Sequence, residues 1–221
     1  MATNSIIKTQ YGGEHNVKLP SKIAAITALG LLGASAHAAE VSFDFIEIDG
    51  ATGSFEPTGG RAKEDFTNIT LHANKILDED EKWFADLEIR YTDTDTDAES
   101  FGYADIAIGK RIRINKDERN PSSMSLQVGY VTLKDDTGSD EGLSLAIDYR
   151  VNTDVNIEFG AGLQVINFSE LEQFGVNVRV LGHITDLLGV YVRLEQVDRE
   201  FDDGRTSIKE NSAGIGVRFE F

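Results

Sequence analysis

The chain has 221 residues and a formal charge of −17, with 38 acidic side chains against 21 basic ones. That surplus excludes nucleic acid as a partner, because phosphate binding needs Lys/Arg patches. There is no cysteine, which excludes a disulfide framework and any thiolate metal site.

The first 38 residues form a leader, with a secretory signal core over residues 18–38. Lys18 and Lys22 precede an apolar run from Ile23 to Ala34, and Ala36-His37-Ala38 supplies the small-residue cleavage pattern, with the cut predicted between Ala38 and Ala39. The run is too short for a membrane anchor, which needs about 20 apolar residues. The stretch ahead of Lys18 is unusual for a signal peptide and makes Val17 an alternative start. No later apolar run reaches the ~18 residues of a transmembrane helix.

From Ala39 onward the sequence reads as strands. In "VSFDFIEI" Val41, Phe43 and Phe45 set an apolar face that slips register near Ile46, as a bulge would make it do. "FTNITLHA" follows. In "WFADLEIRYTDTDTDAES" Trp83, Ala85, Leu87, Ile89 and Tyr91 share one face, and Phe84, Asp86, Glu88, Arg90 and Thr92 the other. Asp93, Asp95 and Asp97 extend the apolar face, which turns abruptly acidic beyond Tyr91. "FGYADIAIGKRIRI" puts Lys110 on its apolar face between Ile108 and Ile112, a defect in the pattern. Six cleaner strands follow, around Val128, Ile147, Phe159, Val178, Val192 and Ile215. The count is about ten, or eight if the first or fourth region is misread.

Connections of two kinds are expected. "NTD" and "TDL" are minimal turns, whereas "ATGSFEPTGGRAKED", "DTDTDAES", "KDDTGSDEG" and "FDDGRTS" read as longer, mostly acidic loops at the opposite end. "NKDERNPS" breaks this rule. Short turns at one end and long loops at the other describe an outer-membrane barrel.

Alternation alone does not say which face looks inward. A soluble lipid-binding barrel is apolar inside, and a membrane barrel is apolar outside. From Trp83 to Tyr91 the strand runs about 26 Å, or roughly 20 Å when tilted, close to an apolar band between aromatic girdles. Trp83, Tyr91, Tyr130 and Tyr149 are the girdle candidates. On the polar face, Asp86, Glu88, Asp105, Asp148, Glu158, Glu195 and Glu220 are matched by Arg90, Arg111, Arg113, Arg150, Arg179, Arg193 and Arg218. Such balance suits a narrow interior where charges must pair. Losing one partner, as in Arg150→Ala, is then expected to cost on the order of 3–5 kcal/mol if the site is dry.

The C-terminal "GIGVRFEF" places Ile215, Val217, Phe219 and Phe221 on one face. It resembles the terminal recognition strand of small Gram-negative outer-membrane β-barrel proteins, and with the leader and the repeated amphipathic strands the resemblance covers residues 39–221. It implies insertion by the outer-membrane assembly machinery, with no particular activity.

His72 and His183 are the histidines after the leader, and both fall on the polar face. Ser144 and Ser212 do too, so no nucleophile–base–orienter set is formed and no catalytic residue is expected. "DTDTDAES" fails the EF-hand spacing, with Ala98 in place of the glycine and Ala104 in place of the final glutamate. Its aligned carboxylates Asp93, Asp95 and Asp97 can at most hold Ca²⁺ or Mg²⁺ weakly, and a solvated acidic loop is the favoured account because charge runs usually face water.

The expectation is therefore one all-β domain, a transmembrane antiparallel up-and-down β-barrel, exported to the outer membrane and monomeric. Its expected partners are membrane lipid, lipopolysaccharide and the assembly machinery, and its expected role is structural or in surface interaction. The alternatives are a narrow porin-like channel for small solutes and a soluble periplasmic lipid-binding barrel.

Overall fold

The computed structural model describes residues 41–58, 62–94, 100–115, 120–135, 138–153, 156–201 and 206–221, so the leader and its cut lie outside the described residues. The strands in chain order are β1 (Phe45–Pro57), β2 (Glu64–Ile76), β3 (Trp83–Thr94), β4 (Phe101–Asn115), β5 (Ser122–Lys134), β6 (Ser139–Asn152), β7 (Ile157–Phe168), β8 (Leu171–Thr185), β9 (Leu188–Phe201) and β10 (Ser207–Glu220). Each pairs antiparallel with the next, and β10 returns to β1, closing a ten-strand up-and-down barrel. The alternative of eight strands is thereby excluded. The closing seam runs continuously from Phe45 opposite Glu220 to Pro57 opposite Ile208. Both ends of the described chain lie at one rim, called proximal here; the other rim is distal.

The barrel is apolar outside and polar inside. On β4, Ile106 is 64% exposed while Asp105 beside it is 6% exposed. The pattern holds around the ring, with Ile69, Val128, Leu143 and Leu194 outward and Thr70, Gln127, Ser144 and Arg193 inward. A soluble lipid-binding barrel would have the reverse arrangement. Strands of 12–15 residues reach roughly 30 Å along the barrel axis when tilted by ~40°, enough to cross the hydrocarbon band. Trp83 and Tyr149 stand outward near the proximal rim, and Tyr91 and Tyr130 outward toward the distal one. Ile215, Val217 and Phe219 face outward along β10, and Phe221 follows, exposed.

Two expectations need correction. The first concerns β1. Val41, Phe43 and Phe45 are buried inside the barrel, and the outward face begins at Ile46 and Ile48. The pairing of β1 with both neighbours shows no register shift, so there is no bulge at Ile46. Apolar residues here fill the proximal mouth of the lumen. The irregularities of register lie instead near the proximal rim, at Arg113/Asn115 and His183/Thr185.

The second concerns the loops. The segment read as a long first loop is largely strand, since β1 runs to Pro57 with Phe55 pointing inward. Distal connections span 58–63, 95–100, 135–138, 169–170 and 202–206, and proximal ones 77–82, 116–121, 153–156 and 186–187, so the asymmetry of length is not there. Acidic turn-forming residues such as Asp140 sit inside the strands where these rise past the apolar belt.

Lys110 does lie on the outer face, directly across from Trp83, with its ammonium 5.5 Å from the ring centre. The neighbouring proximal turn is shaped by Asp78, whose Oδ1 accepts from the backbone N–H groups of Lys82 and Trp83 at 2.8 Å each. Glu81 takes a left-handed φ of 52° in that turn. The Asp80 carboxyl is held below its ordinary range by the hydrogen bond and charge of Lys82.

Glycine inside the barrel makes room for larger neighbours. A Cβ at Gly109 would overlap the Phe84 ring, which is fully buried and has nowhere to turn. Gly109→Val is expected to lower stability by about 1–3 kcal/mol, as overpacking does, with Phe84→Leu in the same chain recovering part of it. Urea midpoints of the detergent-folded protein measure both, and an unchanged midpoint for Gly109→Val would contradict this packing.

Candidate functional site

The lumen holds most of the charged chemistry, and it is built in layers. The proximal layer is apolar and capped by arginines. Val41, Phe43 and Phe84 are buried together with Ile76 against them, and the Phe43 and Phe84 rings are 5.1 Å apart. Arg111 donates from Nη2 to the Val41 carbonyl at 2.8 Å, and Arg150 from Nη1 to the Ser42 carbonyl at 3.4 Å. Both guanidinium groups lie over Phe43, at 4.7 and 4.8 Å from its ring centre. Asp44 fastens this entry segment: its Oδ1 accepts from the Ile76 N–H at 2.7 Å, and its carbonyl from the Phe221 N–H at 3.2 Å.

The middle layer is ionic, and Glu47 is its hub. Glu47 faces Arg218 at 2.6 Å, Arg179 at 2.9 Å and His72 at 3.1 Å. Arg218 and Arg179 also share Glu158, at 3.2 and 3.1 Å. His72 bridges onward to Asp86 at 2.7 Å. Each ring nitrogen of His72 thus faces a carboxylate of its own, Nδ1 Glu47 and Nε2 Asp86. A second cluster sits distally: Arg90 pairs with Glu88 at 2.9 Å and Glu195 at 3.2 Å, and Arg193 pairs with Asp49 at 3.1 Å. The Tyr191 hydroxyl donates to Asp49 at 2.7 Å. Asp105 accepts from Ser144 at 3.1 Å and from the Tyr103 hydroxyl at 3.3 Å, and Asp148 accepts from Gln127 at 3.2 Å. Between the clusters lies a polar cavity of about 100 Å³, room for a few water molecules.

The distal layer is apolar again. Phe55 stacks on Phe66 at 4.4 Å and tilts against Phe101 at 6.0 Å. Across from them Val131, Ile166, Phe168 and Leu171 are buried in one cluster. Arg199 binds Glu210 at 2.8 Å and lies 5.9 Å from both the Phe55 and Phe101 ring centres.

Of the predicted network, Asp86, Glu88, Arg90, Asp148, Arg150, Glu158, Arg179, Arg193, Glu195 and Arg218 all face the lumen. Arg111 and Arg113 belong to the proximal mouth, where both meet Glu81. Arg150 is placed otherwise than expected: its partners are the Ser42 carbonyl and the Phe43 and Phe45 rings, and no carboxylate lies within ion-pair distance among the described residues. Glu47 and Asp49 were hidden by the misread face of β1, although Ile46 and Ile48 on the opposite face would have exposed them. His72 and His183 face inward as expected, and neither has a serine partner among the described residues. Asp93 stands outward next to Tyr91, whereas Asp95 and Asp97 lie outside the described residues. Among the described residues no group of His and acidic side chains converges as metal ligands.

Arg218 and Glu158 are fully buried. Arg218→Ala therefore leaves Glu47 and Glu158 short of a cation and is expected to cost on the order of 3–5 kcal/mol. Arg150→Ala breaks no direct ion pair among the described residues, although its charge also steadies the buried Asp148, and should cost less, about 1–3 kcal/mol. Equilibrium unfolding in lipid vesicles ranks the two variants, and the reverse order would refute this assignment of the hub.

No family model and no curated protein matches the sequence. Solved structures do. The transport unit of the autotransporter AIDA-I from Escherichia coli aligns over 91% of this chain and 98% of its own, with a TM-score of 0.53 and 11% identity. The KdgM porin in complex with disordered oligogalacturonate covers 80% of this chain and 99% of its own, with a TM-score of 0.42 and 10% identity. The outer membrane protease OmpT from Escherichia coli covers 86% and 100%, with a TM-score of 0.43 and 9% identity. At these identities the likeness extends to architecture alone. In fold, the chain is a closed up-and-down β-barrel of the architecture seen in the AIDA-I transport unit.

Proposed function

We propose that this chain is a non-enzymatic, non-conducting barrel whose role in the outer membrane is structural or in surface contact. The observation that carries this reading is the layered lumen. An apolar distal lid, an ion-paired middle and an apolar proximal plug lie in series along the only route a solute could take through the barrel. The three layers are built from separate sets of residues, so opening one leaves two. The non-enzymatic part is supported by the histidines. His72 is held between Glu47 and Asp86 in mid-lumen, and His183 is buried by the proximal rim, so neither reaches the lipid-facing surface or the distal rim where a substrate would arrive.

The porin-like channel is the competing reading, and the 100 Å³ cavity is the observation in its favour. Planar-bilayer recording of the purified barrel separates the two. Wild type is expected to give no unitary current steps, and Phe55→Ala with Phe66→Ala none either, because the ionic layer and the proximal plug remain. Regular steps from wild type would overturn the reading.

The same reading takes lipopolysaccharide as a partner at the distal rim, the assembly machinery as the means of insertion, and a monomer as the working form. The outward carboxylate of Asp93, past Tyr91, would meet lipid A phosphates, and Ca²⁺ or Mg²⁺ would bridge the two anions. Asp93→Asn/Asp95→Asn/Asp97→Asn is expected to abolish any chelator-sensitive rise in thermal stability in lipopolysaccharide membranes. An ion response identical in wild type and triple variant would leave the aspartates as mere solvated charge.

A further inference from the structure

Lys110 interrupts an otherwise apolar stretch of outer face on β4, between Ile108 and Ile112, with Ile114 beyond. Its ammonium lies 5.5 Å from the Trp83 ring centre, and among the described residues no carboxylate is within ion-pair distance. Among the described residues the other lysines near this rim are matched: Lys75 with Asp44 at 3.1 Å and Lys82 with Asp80 at 2.7 Å. In a chain with 38 acidic side chains, the lysine left bare at this rim among the described residues is the one that looks at lipid. Trp83 is 46% exposed, and its indole N–H finds no acceptor among the described residues.

An ammonium at the edge of a hydrocarbon belt needs water or an anion. Snorkelling to water accounts for the lysine by itself. It does not account for a second open donor beside it, or for a ring that holds the ammonium in place. A cation and a neutral N–H side by side match the non-bridging oxygens of a phosphodiester. Ala85 and Ile108, the next outward pair along the same two strands, offer apolar surface to an acyl chain.

We propose that Lys110 and Trp83 form a headgroup site for an anionic phospholipid in the leaflet that surrounds the proximal rim. The ring positions the ammonium, the ammonium takes the phosphate, and the indole N–H takes a second oxygen. The net charge of −17 sharpens the inference. A surface of anionic lipid is repelled by the chain as a whole, so a preference for such lipid must come from a local site. The site rests on the barrel lying in a membrane and is independent of whether the lumen conducts.

The protein carries its own reporter, because Trp83 is its single tryptophan. The barrel is reconstituted in vesicles of phosphatidylcholine and phosphatidylglycerol, with bromine on the acyl chains of one lipid at a time. Quenching of Trp83 then gives the relative affinity of the two lipids at the site. Wild type is expected to prefer phosphatidylglycerol, Lys110→Arg to keep the preference, and Lys110→Gln to lose about fivefold of it, the attraction of one lysine to an anionic surface. Lys82→Gln, whose charge is already matched by Asp80, should leave it unchanged. Absence of preference in wild type, or its survival in Lys110→Gln, would overturn the site. Heat-modifiable migration of each variant shows that the barrel compared is folded.

Discussion

Hydrocarbon supplies no hydrogen-bond partner, so each strand that crosses it must find both of its neighbours within the protein. Everything else here follows from that constraint. An open sheet would leave two edges bare in lipid. The seam between β1 and β10, paired without interruption from Phe45 to Pro57, removes them. Once the ring is closed, one face of every strand is committed to lipid and the other to a narrow interior. Side-chain chemistry is then sorted by alternation rather than by depth from a core.

The interior obeys a second constraint. Guanidinium groups and carboxylates packed inside a small barrel are largely out of water, and each needs an opposite charge or a dense set of dipoles. Glu47 meets this by serving Arg218, Arg179 and His72 together. Asp105 meets it with neutral donors from Ser144 and Tyr103. Toward either rim the same lumen turns aromatic, and arginines lie on the rings where the two kinds of layer meet, as Arg218 does over Phe45 at 4.3 Å. The arginines thus bind the ionic layer to the apolar ones, which a lysine with its compact charge would do less well.

Much of this was legible in the sequence. Strict alternation from β3 onward assigned the two faces correctly, because a barrel strand has a neighbour on each side and little freedom to slip. Trp83, Tyr91, Tyr130 and Tyr149 stand where their spacing put them. β1 was misread because Val41, Phe43 and Phe45 are apolar for a local reason: they fill a mouth, and periodicity cannot tell a plug from a lipid-facing strand. The distal loops were overestimated because Gly, Thr and Asp signal a turn in water, yet the same residues tolerate a strand that rises beyond the belt. Which arginine meets which carboxylate was not legible, since pairs such as Arg218 and Glu47 lie 171 residues apart.

That separation bears on how the molecule forms. Fixing contacts between distant parts of a chain requires a large loss of chain entropy before any pairing rewards it, and folding slows accordingly. Here the costliest contacts are also the ones that complete the ring. The Phe221 N–H bonds to the Asp44 carbonyl, and Arg218 reaches Glu47 beside it. Until β10 arrives, β1 has one unpaired edge and Glu47 lacks Arg218, so the half-made sheet is poorly suited to water and to lipid alike. Closure is thus a late, nearly all-or-none event whose timing is set by the strand made last.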